Sequence, residues 1–256
     1  MALESLSPAL IAWLACVMLI AGLIQGTLGF GFPFVATPLI AMVSDMRTAV
    51  IAVLLPTLAT IIVALLASGP VRATLARFWM MPLYMIVGSA AGTTLFVSAP
   101  DFPYSLVLAF VTLAYLNFDR LGLANLPVVR GHEHAFAPLS GLAAGVFEGS
   151  ANIAAPPLII FYLALGLSPV MLVQALNICF LVGKATQFSV LTAHGGVTAD
   201  QWLTTVPLAL IGVAGSLIGV RIRNRIDAVT FRLWVKRALL VIALVLIAQY
   251  VYGTLR

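Results

Sequence analysis

Charge is what this chain has least of. Only 8% of its 256 residues are Asp, Glu, Lys or Arg, against about 25% in a soluble domain, so a solvated globular domain is excluded. Its two cysteines, Cys16 and Cys179, both lie in apolar runs, which excludes a disulfide scaffold and leaves no redox motif. No Walker loop is present, so ATP hydrolysis within the chain is not expected. Neither Gly-x-Ser-x-Gly nor His-Glu-x-x-His occurs, so intramembrane proteolysis has no visible machinery. A cleavable leader is not expected either, because Glu4 stands where its basic region would be. The formal net charge is +5, but the basic residues sit in loops, which speaks for membrane topology and against a nucleic-acid partner. No cofactor is implied.

Long hydrophobic runs take the place of charge. The chain is 62% hydrophobic with a mean hydropathy of +1.14, and several runs reach the 18 or more residues needed to cross a bilayer core. Between charges and turn residues the runs fall at 6–28, 30–43, 48–67, 78–98, 103–120, 136–149, 152–165, 170–191, 202–220 and 233–253. The runs 30–43 and 152–165, of 14 residues each, are too short to span comfortably. Each directly follows a glycine-rich stretch, GLIQGTLGFGFP at 22–33 and GLAAGVFEGSAN at 141–152. The expected fold is an all-α polytopic membrane protein without a soluble domain.

The two stretches suggest a repeat. Laying Gly22 on Gly141 without a gap puts Gly26 on Gly145, Pro38 on Pro157, Leu39 on Leu158 and Ile40 on Ile159. A long helix follows in each half, and the polar stretch around 121–135 divides them. The expected organisation is a first membrane repeat over 1–120, a linking loop over 121–135 on the cytoplasmic side, and a second repeat over 136–256. If each glycine stretch and its short partner form a re-entrant hairpin, each half adds three long crossings, and the halves are inverted. Ten basic residues (Arg72, Arg77, Arg120, Arg130, Arg221, Arg223, Arg225, Arg232, Lys236, Arg237) then share one side, against Arg47 and Arg256 on the other. Counting each hairpin as a single crossing gives seven against five. The positive-inside rule favours the re-entrant plan, with both termini outside.

The pattern Gly22-x3-Gly26-x2-Gly29-x-Gly31 with Pro38 seven residues on, repeated in part by Gly141, Gly145 and Pro157, resembles the sulfite exporter TauE/SafE family. The likeness spans nearly the whole chain in architecture and is motif-level in two places. Phe32 and Pro33 in the first copy, and Glu148, Ser150, Ala151 and Asn152 in the second, depart from the family's glycines. The resemblance implies a bacterial inner-membrane transporter that exports small sulfur-containing anions, sulfite or organosulfonates, coupled to an ion.

Physical reasoning places the candidate site at the two glycine stretches. Broken helices survive in a membrane only where they are buried or line a wet cavity. Glycines allow the break, and prolines remove backbone donors. A helix restarting after such a break directs unpaired N–H groups and a partial positive charge at the site, which suits an anion. Gly22/Gly26 and Gly141/Gly145 taken alone equally fit close helix packing. The candidate substrate residues are Gln25, Thr27, Gly29 and Gly31 from the first stretch and Ser150 and Asn152 from the second. Asn177, Lys184 and Gln187 join them from one helical face, with Gln174 one turn earlier. A lysine offers a compact anion charge and up to three donors. Glu148 is costly inside a span and is the candidate carrier of a coupling proton. It could also pair with Lys184, permanently or until a proton or substrate intervenes. His132-Glu133-His134 has no further ligand nearby, so no metal is expected.

Three function classes follow. The first is a secondary transporter of small anions, working by alternating access around a midplane site. The second is a passive anion channel, which needs no protonatable Glu148. The third, a membrane enzyme or assembly subunit, lacks a catalytic constellation. The expected partners are the anion, the bilayer and a proton, and a homodimer is left open.

Overall fold

The computed structural model describes residues 7–104, 127–194 and 197–223, with a few single positions elsewhere. Its described residues form helices and no strands. In order these are α1 (Pro8–Leu28), α2 (Phe32–Ala41), α3 (Met46–Ala67), α4 (Arg72–Phe78) and α5 (Met80–Ser98). After them come α6 (Pro127–Gly131), α7 (Glu133–Ala151), α8 (Ala155–Ala164), α9 (Pro169–Ala193), α10 (Ala199–Thr204) and α11 (Val206–Arg223). The expected spans 103–120 and 233–253 lie almost entirely outside the described residues. So does most of the basic run after Arg223.

Five stretches are long and apolar enough to cross a membrane: α1, α3, α5, α9 and α10–α11 together. The starts are set by ordinary caps. Ser7, Asp45, Ser168 and Thr198 each accept a bond from a first-turn N–H with their side chains. Part of the expected 121–135 loop is helical, because α6 occupies 127–131 and α7 begins at Glu133.

Each short helix folds back along its long predecessor. Trp13 Nε1 on α1 donates to Leu39 O near the end of α2 at 3.3 Å. Leu10 and Leu14 share a small apolar cavity with Val43 and Ser44, just past α2. Arg130 Nε, before α7, donates to Ala164 O at the end of α8 at 2.7 Å. A guanidinium on the last carbonyls of a helix also satisfies its negative end. Both pairs therefore form hairpins whose open ends lie together.

Small residues bring the halves into contact. α1 packs along α11, with Gly22 against Gly212 and Gly26 against Ser216 and Val220. α7 packs along α5, with Gly145 against Met85 and Gly88, and Gly149 against Ser89 and Thr93. A Cβ at Gly22, Gly26, Gly88, Gly92 or Gly149 would overlap backbone atoms of the facing helix. These glycines serve close helix packing, where dispersion between backbones replaces the missing hydrophobic drive. Gly141 lies against Tyr84 and Met81.

The spacing between the two hairpins differs from the one read from residue identities. α2 and α8 begin at 32 and 155, and α3 and α9 begin at 46 and 169, 123 residues apart in both cases. The identities had suggested 119. On the geometric register Gly22 pairs with Gly145, Gly26 with Gly149, and Pro33 with Pro156, the prolines being the second residues of their short helices. Pro38 and Pro157 hold different places, the seventh residue of α2 and the third of α8. Glycines recurring every four residues allow either alignment; the position of the break decides between them.

Candidate functional site

The two breaks are built alike. α1 ends at Gly29, with φ +83°, and α7 ends at Asn152, with φ +60°. Both residues are in the left-handed conformation, and each donates its N–H to the carbonyl four residues back, Gln25 O and Glu148 O. That closes the helix in the usual left-handed manner. Gly31, at φ +110°, completes the first turn, in a region that only glycine enters freely. Those same fourth residues back then cap the next helix. Gln25 Oε1 accepts from Phe32 N at 3.0 Å, and Glu148 Oε2 accepts from Ala154 N at 3.1 Å.

Helix α9 passes both breaks and supplies the other partners. At the first, Asn177 Nδ2 donates to Gly29 O at 2.5 Å, and Gln25 Nε2 donates to Asn177 Oδ1 at 3.1 Å. At the second, Gln187 Nε2 donates to Gly149 O and to Asn152 Oδ1, both at 3.1 Å. Gln174 holds the turn between α3 and α4, donating to Ser68 O at 3.0 Å and accepting from Thr74 Oγ1 at 2.6 Å. From Gln174 to Gln187 the polar face of α9 runs roughly 20 Å at helical rise.

The charged centre is Lys184. Its Nζ lies 2.9 Å from Glu148 Oε1 and donates to Asn152 Oδ1 at 2.5 Å and to Gln187 Oε1 at 2.8 Å. Of the three donors of an ammonium, two are taken by Asn152 Oδ1 and Gln187 Oε1, while Glu148 Oε1 faces the ammonium as an ion-pair contact without hydrogen-bond geometry. Glu148, Asn152, Lys184 and Gln187 are all 2% exposed or less. The bonds of Lys184 to Asn152 and Gln187, and of Glu148 Oε2 to Ala154 N, offset part of the desolvation cost of this buried pair. Ser89 Oγ, donating to Gly183 O at 2.7 Å, fixes α9 against α5 beside the pair.

The structure thus brings Glu148, Asn152, Lys184 and Gln187 into one cluster. It places Gln25, Gly29 and Asn177 in a second, uncharged cluster nearer the start of α9, with Gly31 beside it. Thr27 and Ser150 are turned elsewhere, their hydroxyls donating to carbonyls of their own helices, Leu23 O at 2.7 Å and Val146 O at 2.6 Å. Thr37 escaped the sequence reading. Its Oγ1 accepts from Asn152 Nδ2 at 3.0 Å. Its signal was the lone hydroxyl in the otherwise apolar α2, FPFVATPLIA. His132 sits at the start of α7, one ring nitrogen 3.2 Å from Val128 O.

No curated protein and no solved structure matches the chain. The model of the family described as "Sulfite exporter TauE/SafE" matches residues 14–249, which takes in both breaks, α9 and most of α1. The chain therefore belongs to the sulfite exporter TauE/SafE family, and it is a multi-pass membrane transporter of sulfite or related anions rather than an enzyme.

Proposed function

We propose that the protein is a proton-coupled secondary exporter of sulfite or small organosulfonates, with the anion bound at Lys184. The observation that carries this reading is the seat of the Glu148 carboxylate. One oxygen faces the Lys184 ammonium, and the other accepts the N–H of Ala154, the residue just before α8. A cation and a helix start together make an anion site, and here an anion of the protein's own fills it. A proton on Glu148 removes that internal anion and frees Lys184 for a substrate oxyanion. Exchange of one for the other links anion binding to proton uptake.

The carbonyl ends of the broken helices support a proton over a metal cation. Where a sodium ion would sit against such carbonyls, amide donors of Asn177 and Gln187 already serve Gly29 O and Gly149 O. The closed, paired arrangement fits a transporter's occluded state better than an open pore.

An inverted repeat in a bacterial inner membrane, with both termini outside, completes the proposal. Contacts between residues assigned to one side support it. Gln174 meets Ser68 and Pro70, Arg130 meets Ala164, and Trp202 meets Thr192. On this plan the first hairpin enters from outside and the second from inside, and α9 passes both tips. Cysteines at Gly131 and His194, with the native cysteines replaced, are expected to label from opposite sides; labelling from one side contradicts the plan.

Anion binding tests the site. In a thermal-shift panel of sulfite, sulfonates, carboxylates and sulfate, sulfite or a sulfonate is expected to stabilise the protein. Lys184→Ala is expected to weaken that binding by about a hundredfold, the loss of a buried charge-assisted contact. Unaltered affinity in Lys184→Ala removes Lys184 from the site.

A further inference from the structure

Among the described residues Asn152 is the one residue other than glycine with a positive φ. Its counterpart at the first break is Gly29. Glycine would suit the backbone of either break, so the reason for an amide lies in what its side chain touches. Asn152 Oδ1 accepts from Lys184 Nζ at 2.5 Å and from Gln187 Nε2 at 3.1 Å, both on α9. Its Nδ2 donates to Thr37 Oγ1 at 3.0 Å, on α2. Asn152 and Thr37 are each 1% exposed. A carboxamide is flat and rigid, so its oxygen cannot follow the ammonium without its nitrogen moving as well. The link joins the tip of the second hairpin to the returning leg of the first. On the 123-residue register the residue of α8 that corresponds to Thr37 is Ile160, so no matching hydroxyl exists on the other side.

We infer that Asn152 is a positioning residue that ties the state of the Lys184 ammonium to α2, so that a change of partner at Lys184 is felt by the first hairpin. The inference rests on the reading of Lys184 as the anion site. When a substrate anion replaces the Glu148 carboxylate, the ammonium shifts toward its new partner and draws the Asn152 oxygen with it. The Thr37 bond turns that shift into a pull on α2 against the α7–α8 tip. The bonded partners of Lys184 are Glu148, Asn152 and Gln187, and Thr37 reaches it only through Asn152. Its bond therefore governs the rate at which the hairpins exchange positions and leaves anion affinity alone.

The full-length protein tests this with four forms: wild type, Asn152→Gly, Thr37→Val and the double variant. Glycine suits the left-handed backbone and valine is nearly isosteric with threonine, so each variant keeps the local geometry by a different route. Sulfite affinity is read by thermal shift and sulfite flux in proteoliposomes. Thr37→Val is expected to hold sulfite affinity within about twofold, because Thr37 bonds to Asn152 Nδ2 and leaves the Asn152 oxygen on Lys184 in place. Its flux is expected to fall roughly fivefold, the factor one hydrogen bond contributes to a two-state balance. Asn152→Gly slows flux at least as much, because it removes the bonds to Lys184 and Gln187 as well, and the double variant is no slower than Asn152→Gly, which has already lost the bond that Thr37→Val breaks. Wild-type flux in Thr37→Val, a loss of its sulfite affinity, or losses that multiply in the double variant each overturn the inference. Absence of sulfite binding by the wild-type protein overturns the site reading beneath it, and this inference with it.

Discussion

Gln25 and Glu148 stand at the same point of two broken helices. Each is four residues before the left-handed residue that ends its helix, and each side-chain oxygen accepts a backbone N–H at the start of the following short helix, from its first residue Phe32 in one case and from Ala154, just before the first residue, in the other. One is an amide that meets Asn177; the other is a carboxylate that meets Lys184. The scaffold is shared, and a single change of functional group makes one break neutral and the other a charged site. The backbone job of Glu148 can thus be done by glutamine. Its charge is there for Lys184.

The stability of Glu148 variants should follow from that separation. Glu148→Ala removes both the cap and the counter-ion, leaving a buried ammonium uncompensated, and is expected to cost about 3–5 kcal/mol. Glu148→Gln keeps an acceptor for Ala154 N and for Lys184, and is expected to cost less. Unfolding in detergent, followed by thermal or denaturant melts, ranks the two. Equal losses would mean that the amide cannot take the carboxylate's seat.

Gly29 is held by two constraints that substitutions can separate. A Cβ there would lie 2.6 Å from Val173 Cγ1, and the backbone is left-handed at φ +83°. Gly29→Ala is expected to cost roughly 1–2 kcal/mol from the backbone plus the cost of crowding Val173. Adding Val173→Ala should recover the second part and leave the first. Gly69 shares a positive φ of +85° but has nothing within 4 Å of a Cβ, so Gly69→Asn should change the melting temperature little.

The helix seams should be less forgiving than the breaks. A Cβ at Gly149 would overlap Ser89 O and lie 2.6 Å from Thr93 N, backbone atoms that cannot turn aside. Gly149→Ala is expected to force α7 from α5 and destabilise by about 1–3 kcal/mol, the usual cost of overpacking. It should also disturb anion binding, because the same helix carries Glu148. Size-exclusion profiles and melts of the purified variant check the first effect, and sulfite titration checks the second.

Asp45 gives a pH dependence with a definite sign. Burial pushes its carboxyl up, but the Thr48 hydroxyl and the backbone N–H groups donating to it outweigh burial and hold it below the ordinary value of 3.8. A group depressed in the folded state contributes stability above its unfolded value. That contribution is lost as pH falls through the folded value. Wild type should therefore exceed Asp45→Asn in melting temperature at neutral pH, and the gap should close in acid below about pH 4. A gap constant down to pH 3 would show that the charge of Asp45 contributes nothing.

Much of this fold was legible in the sequence. The spans were bounded by charges and turn residues, and their bounds agree with α1, α3, α5 and α9 to within a few residues. Helical spacing put Asn177, Lys184 and Gln187 on one face, and the rarity of intramembrane charge directed attention to Glu148 and Lys184, which are in contact. Register was not legible, because glycines recurring every four residues match at 119 as well as at 123, and only backbone geometry shows where the helix breaks. Nor was the direction of short hydroxyls. Thr27 and Ser150 bond to their own helices, a choice open to any such residue in a span. Thr37 went unremarked because one threonine in an apolar helix carries no pattern; its partner comes from 115 residues further along the chain.

The coupling proposed for this transporter is that a proton on Glu148 releases Lys184 to a substrate anion, so that the two are bound together. Its most direct test is sulfite flux in proteoliposomes, with and without an imposed pH gradient, for the wild-type protein and Glu148→Gln. The gradient is expected to accelerate flux in the wild type and to have no effect on Glu148→Gln. Wild-type flux indifferent to the gradient, or an equal response in Glu148→Gln, would contradict it.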